Sequence, residues 1–431
     1  MTKDDKIIII YLVSVIVGLL TGFIGSIFQI GIDKVAFAIR VLIHYLQQHH
    51  IPMMLSSALI TMGIVLFVWL LVKKVAPEGG GSGVQEIEGA LLHERPVHWA
   101  TLLPVKFFGG ILTLAAKMVM GREGPTIQIG GNLGEMVGRL CHLSRSKCDT
   151  LIAAGAAAGL ATAFNAPLAG VLFVIEEMRN EFNFSFLNFK MVIIACVVAT
   201  IVLHIIIGPQ PVLPMDVFSM PSLKSLWLFL VFGAVVGFAG LLFNEFLMRL
   251  LYLSDRFSTW FMVVFILAVG AMVGLLAVLE PQTVGGGYEI IEQALTFYPA
   301  ASVLFLLFIA RFATTMICYM TGVPGGIFAP MLALGTILGL LVSHFTNWLF
   351  PDASIHPGMF AVAGMGGLFS AAVRAPITGI ILVVEMTSNY QLILPLMITC
   401  LMSTTIVQLA GNEPIYTQLL ERTIKKQRGE G

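Results

Sequence analysis

Residues 7–32 carry no charged side chain, and neither do residues 53–72, 191–208, 225–244 and 257–279. Each run is long enough to cross about 30 Å of hydrocarbon as a helix, which takes about 20 residues. Hydrocarbon offers a backbone no hydrogen-bond partners, so a spanning segment satisfies its own N–H and C=O groups as a helix or in a closed barrel. Uninterrupted apolar runs of this length point to helices. Composition agrees: 58% of residues are hydrophobic and 11% charged, against roughly a quarter charged in soluble domains. The expected fold class is an all-α polytopic membrane protein.

The first run is too long for the core of a secretory signal and lacks a small-residue cleavage site, so it reads as a retained helix. Basic residues gather at Lys3 and Lys6 and again at Arg422, Lys425, Lys426 and Arg428, which predicts that both termini are cytoplasmic. A net charge of zero and no long basic tract exclude nucleic acid as a partner. Membrane lipid is the expected surrounding. Cys141, Cys148, Cys196, Cys318 and Cys400 show no metal or redox spacing and read as buried thiols. His93, His142 and His204 have no ligand partners at useful spacing, so no metal site is expected.

The chain repeats itself. Gly81-Ser82-Gly83-Val84-Gln85-Glu86-Ile87-Glu88-Gly89-Ala90-Leu91 aligns with Gly285-Gly286-Gly287-Tyr288-Glu289-Ile290-Ile291-Glu292-Gln293-Ala294-Leu295, 204 residues later. Pro125, Gly130, Leu133 and Gly134 match Pro330, Gly335, Leu338 and Gly339 at an offset of 205. Gly155, Ala166-Pro167, Gly170 and Glu176 match Gly364, Ala375-Pro376, Gly379 and Glu385 at 209. One transmembrane domain (residues 1–431) of two homologous halves is expected, about 7–208 and 225–410. The Pro-rich segment 208–221 connects them, and a short cytoplasmic tail covers 417–431. Repeats interrupted by Gly and Pro are typical of transporters, with binding where the repeats meet.

Three breaks stand out: residues 79–83, the segment Gly121-Arg122-Glu123-Gly124-Pro125, and Gly322-Val323-Pro324-Gly325-Gly326-Ile327-Phe328-Ala329-Pro330. Irregular backbone at membrane depth is tolerated where protein buries it or a wet cavity bathes it. Each break precedes residues that continue as helix, so converging helix starts would offer N–H donors and partial positive charge. Close packing through small residues explains any one break. Three of them beside the intramembrane carboxylate Glu123 favour a path for a small desolvated anion. Other intramembrane charges (Lys106, Arg311, Arg374, Glu385) are expected to be paired inside the protein or at its vestibules. Arg122 is expected to brace its turn or face a vestibule, because adjacent helical residues do not face each other.

These segments, with the late Tyr416, closely resemble the CLC family of chloride channels and chloride/proton exchangers, the bacterial exchangers most of all. The likeness runs from about Pro77 to Leu420. It implies a homodimer with one anion path per subunit, each subunit an inverted repeat of tilted, partly broken transmembrane helices. It also implies a bacterial inner-membrane setting, no cofactor, and no covalent chemistry, hence no catalytic residue. Chloride would be held by the hydroxyls of Ser82 and Tyr416 and the N–H groups of Ile327 and Phe328. The implied selectivity filter is Gly81, Ser82, Gly83, Val84, Gln85, Gly121, Arg122, Glu123, Gly124, Pro125, Gly326, Ile327, Phe328, Ala329 and Pro330. Glu123 matches the family's external gating and proton-transfer glutamate.

Glu177 matches the internal proton-transfer glutamate of the exchangers, so the resemblance implies a chloride/proton antiporter. The alternative is a passive voltage- or pH-gated chloride channel of the same fold; a fluoride exporter would depart from the Ser82 and Tyr416 pattern. Glu176 is expected to be structural, paired with Arg374 or Arg179. Most members of the family have Pro where this chain has Gln85, which leaves local backbone geometry and anion affinity open. Only 15 residues follow Tyr416, too few for the nucleotide-binding regulatory domains of many eukaryotic relatives.

Overall fold

The computed structural model of the chain describes residues 3–178, 185–351 and 355–428. The first helices in order are α1 (Lys3–Gln48), α2 (Met53–Val75), α3 (Val84–Leu91), α4 (Trp99–Ala115), α5 (Glu123–Leu140), α6 (Arg145–Phe164), α7 (Pro167–Glu176) and α8 (Phe186–Ile206). The same order recurs in α9 (Leu226–Asp255), α10 (Thr259–Leu279), α11 (Tyr288–Phe297), α12 (Ala301–Met320), α13 (Phe328–Leu349), α14 (Pro357–Val373), α15 (Pro376–Thr387) and α16 (Ile393–Leu409), and α17 (Ile415–Arg428) follows. No β-strand occurs among the described residues.

Eight helices among the described residues are long and apolar enough to cross a membrane: α1, α2, α8, α9, α10, α12, α13 and α16. The apolar runs mark these helices but not their ends. Helix α1 continues past Ile32 to Gln48, because neither Pro nor Gly follows Ile32 before the turn at residues 49–52. Its 46 residues make a rod of about 70 Å at ~1.5 Å per residue, more than twice the hydrocarbon depth. A helix this long tilts and projects beyond the bilayer. The uncharged stretch 312–351 divides at its Gly/Pro break into the end of α12 and the whole of α13.

Glycines let the central helices approach backbone to backbone. A Cβ on Gly130 would lie 2.0 Å from the Gly155 carbonyl oxygen, and one on Gly134 would lie 2.0 Å from that of Leu151. This joins α5 to α6 antiparallel. In the second half Gly335 meets Gly364 and Gly339 meets Phe360 in the same way, joining α13 to α14. Small residues are the usual means of such contact between membrane helices. The central window of α13 is 78% buried, whereas the other candidate spans reach 28–44%; α13 is therefore surrounded by protein and the others face outward on one side.

Two contacts give the relation between the halves. Helix α2 packs on its counterpart α10, with Gly270 against Met62 and Gly274 against Ser57 and Ala58, so rising numbers on one meet falling numbers on the other. Helix α7 meets its counterpart α15 with the end of each at the beginning of the other. Equivalent helices that pack antiparallel are related by a two-fold axis perpendicular to their length. The second half is inverted relative to the first. Four of the five cysteines are buried as expected; Cys141, just past the end of α5, is exposed.

Candidate functional site

The three Gly/Pro breaks come together. Gly81 donates its N–H to the Val323 carbonyl at 3.2 Å and accepts from Gly325 N–H at 3.0 Å. Gly121 and Gly326 exchange N–H···O bonds in both directions, at 2.8 and 2.7 Å. Positive φ at Gly81 (61°), Gly83 (91°) and Gly322 (70°) is what bends these loops, and glycine tolerates it without penalty. Buried cations on neighbouring helices brace the first of these loops and its counterpart in the second half, the turn before α11. Lys106 Nζ donates to the carbonyls of Gly79 and Gly81 at 3.1 and 2.7 Å. Arg311 donates to Gln282, Val284 and Gly285 at 2.8, 3.1 and 2.8 Å. The expected pairing of these charges is thus with loop carbonyls.

Helices α3, α5 and α13 all begin at this meeting point. The opening N–H groups of a helix have no intrahelical acceptor, so Ile327 and Phe328, which start α13, present free donors by position. Gly124 lies so close to Ser82 that a Cβ would come 2.4 Å from the Ser82 hydroxyl. Across from it, Tyr416 at the start of α17 is fully buried, its ring stacked on Phe328 with centroids 5.8 Å apart. The hydroxyls of Ser82 and Tyr416 are close enough to interact electrostatically, and both are buried without a hydrogen-bond partner. Two unsatisfied hydroxyls beside free N–H donors suit a small anion. Neutral donors hold such an ion without the trap a fixed cation would make.

Glu123 is fully buried. Its carboxylate folds back over its own turn: a Cβ on Gly121 would fall 1.9 Å from Oε2, so this fold requires glycine there. The N–H groups of Glu123 itself and of Ala329 face the carboxylate. Tyr288 donates its hydroxyl proton to Oε1, and Arg122 lies over the Tyr288 ring, 5.0 Å from its centroid. Tyr288 is not among the site residues expected from sequence. Its signal was the repeat alignment, which puts a phenol directly after the turn that carries Ser82-Gly83 in the other half.

Gln85 is the second residue of α3, and its Oε1 accepts the Gly83 N–H at 3.1 Å. This side chain therefore takes up a donor that proline at the same position would leave free. Glu176 does not pair with Arg374. It accepts from the Ile377 and Thr378 N–H groups and the Thr378 hydroxyl at 3.0, 2.5 and 2.7 Å, while Arg374 donates to the Asn412 carbonyl. Arg179 lies outside the described residues. Glu385 does the reciprocal job, accepting from Leu168 and Ala169 N–H at 3.2 and 2.9 Å. Carboxylates at helix N-termini satisfy orphan donors and match the dipole. Glu177 closes α7 half-buried, and both it and Glu123 are within electrostatic reach of the Tyr416 hydroxyl.

Two cavities reach these loops from different sides. One, about 720 Å³, is lined by Gly121, Arg122 and Tyr288; the other, about 580 Å³, by Gly80, Gly81 and Gln85. Cations outnumber carboxylates in both linings, with Arg40, Lys117, Arg122 and Arg311 in the first and Lys73, Arg95, Arg422 and Lys426 in the second. Such mouths concentrate anions.

The family profile described as "Voltage gated chloride channel" matches residues 64–408. The chain is 43% identical to the H(+)/Cl(-) exchange transporter ClcA of Salmonella paratyphi B, over 100% of this chain and 92% of that protein. It is 44% identical to the protein of the same name from Salmonella arizonae, over 99% and 91%. Among solved structures, a slow cyanobacterial Cl-/H+ antiporter superposes with a TM-score of 0.93 at 39% identity, covering 97% of this chain and 99% of that one. A eukaryotic CLC transporter at 22% identity shares the fold, with a TM-score of 0.79 over 97% of this chain and 75% of that one.

Proposed function

This chain belongs to the voltage-gated chloride channel family, and we propose that it is a secondary active transporter exchanging chloride for protons. The observation that carries the reading is the position of the Glu123 carboxylate. It faces the N–H groups of Glu123 and Ala329 at the starts of α5 and α13, within electrostatic reach of the Tyr416 hydroxyl. Ionised, Glu123 occupies an anion's place. Protonated, it no longer competes, and chloride enters to the hydroxyls of Ser82 and Tyr416 and the N–H groups of Ile327 and Phe328. Each chloride passage is then linked to a proton on Glu123.

Glu177 supplies the second half of the coupling. A passive channel needs one gate; an exchanger needs proton access from both sides. A second carboxylate near Tyr416, on a different helix from the gate, offers protons a route separate from the chloride route. The proton is taken up on one side by Glu123 and exchanged on the other through Glu177, without covalent chemistry, metal or cofactor. The chain acts as a homodimer in a bacterial inner membrane, with both termini cytoplasmic. The short helices α7 and α15, of 10 and 12 residues, cannot span about 30 Å of hydrocarbon, and their exposed Leu168 and Ile377 suit a protein neighbour.

Purified protein in sealed liposomes tests the reading. A chloride gradient must drive protons uphill, and the reversal potential must move with both gradients. Chloride flux without proton movement would leave the passive channel as the answer.

A further inference from the structure

Glu123 is gripped from two sides, and only one of them is backbone. Toward the protein interior, its carboxylate faces the helix-start N–H groups of α5 and α13. Toward the cavity of about 720 Å³, the group that touches it is the Tyr288 hydroxyl, which donates to Oε1. We propose that Tyr288 is a latch for the gate: it holds ionised Glu123 in the anion's place from the cavity side, and so sets how acidic that side must become before chloride enters. The inference rests on Glu123 being the gate.

Tyr288 is placed for this with little freedom. It is the first residue of α11, directly after Gly287, whose φ of 110° only glycine adopts readily. A Cβ on Gly287 would lie 2.6 Å from the Ala333 methyl and 3.4 Å from the Ala329 carbonyl. The turn is therefore seated on the beginning of α13, beside the same Ala329 that faces the carboxylate. The preceding loop is fastened by the three Arg311 bonds to Gln282, Val284 and Gly285. The ring itself is covered by the Arg122 guanidinium. A cation over a phenol ring draws on the ring's π face and leaves the hydroxyl directed at Glu123. At the equivalent place in the first half stands Val84, which has no donor.

The ionisable groups around the gate come from several elements. Arg122 precedes it, Tyr288 and Glu289 come from α11, Arg311 from α12, and Tyr416 from α17. Lys117 also lines the cavity, but it is tied to Glu289 at 2.6 Å. Arg311 is held by loop carbonyls, and Tyr416 interacts with Ser82. Of these groups only Tyr288 makes a hydrogen bond to the Glu123 carboxylate. A donor to the ionised form favours that form, so its loss makes protonation easier.

The test is Tyr288→Phe in liposomes, with chloride and proton flux measured across a range of pH on the gate side. The phenyl ring keeps its place under Arg122 and the hydroxyl is lost. The latch predicts that the pH midpoint of chloride transport rises by about one unit, a tenfold change in proton activity, with the coupling ratio intact. Tyr288→Leu, which also removes the ring, must move the midpoint the same way. In the double variant Glu123→Gln/Tyr288→Phe the second change must add nothing to the first. An unmoved or lowered midpoint in both single variants, or an additive double variant, overturns the latch. A pH-dependent Glu123→Gln protein overturns the gate reading instead, which separates the two failures.

Discussion

Lys106 and Arg311 stand 205 residues apart at equivalent places in the two halves, and each points its charge into the carbonyls of its own Gly-rich loop. Among the described residues neither forms an ion pair with a carboxylate; both donate to backbone carbonyls. Buried cations normally require partners, and here the partners are backbone carbonyls of the turns that lead into α3 and α11. Each cation thus holds the turn at the start of a short helix, α3 for Lys106 and α11 for Arg311.

Lys106→Met is expected to strip the Gly79 carbonyl of its Lys106 donor and to leave the Gly81 carbonyl with the Gly325 N–H alone. Leaving a buried carbonyl unpaired costs about 1–3 kcal/mol, so the unfolding midpoint in detergent should fall and chloride binding weaken. Calorimetric chloride titration with a thermal melt checks both; an unchanged affinity would separate loop bracing from ion binding.

Glu123→Gln carries no charge at any pH. Chloride flux through it should lose its pH dependence, and proton coupling should vanish. Flux in liposomes measured from acid to neutral conditions decides the point, and a steep residual pH profile counts against the gate.

The adjacent acids Glu176 and Glu177 should separate cleanly. Glu177→Gln is expected to keep chloride flux and lose proton transport. Glu176→Ala should keep the coupling ratio but lower stability by about 0.5–2 kcal/mol, the cost of losing an N-terminal cap on α15. Parallel flux assays and melts on the two variants would contradict this assignment if the effects were exchanged.

Gln85→Pro releases the Gly83 N–H from its side-chain acceptor, and proline is accepted in the first turn of a helix. The net worth of one hydrogen bond, about 0.5–1.5 kcal/mol, sets a gain in chloride affinity of roughly two- to tenfold. Calorimetry on the variant reads it directly, and weaker binding would show that the glutamine itself helps hold the ion.

Much of this was legible in the residues. Uncharged runs gave the membrane class because hydrocarbon excludes charge. Gly-x-x-Gly-Pro patterns gave the helix starts, because Gly and Pro restrict the backbone locally. Partners were less legible. Glu176 was expected to meet an arginine, yet it meets the start of α15 some 200 residues away, since inversion brings each helix's end to its counterpart's beginning. Lys106 and Arg311 are paired, as expected of intramembrane charges, but with loop carbonyls, which leave no trace in side-chain spelling. Tyr288 was overlooked because an aromatic in an apolar chain has many ordinary uses. The reach of α1 to Gln48 was missed because hydropathy marks where charge begins, and a helix ends only where its backbone is interrupted.

The reciprocal bonds between Gly121 and Gly326 join positions that correspond in the repeat, so the two-fold relation between the halves passes between them. A passage that crosses such an axis at a right angle is the same read from either end; by itself it cannot tell forward from backward. The next pair but one outward breaks the tie, with Glu123 on one side and Phe328 on the other. A sense of direction therefore enters at symmetry-related positions whose side chains differ, and here that is acid against ring.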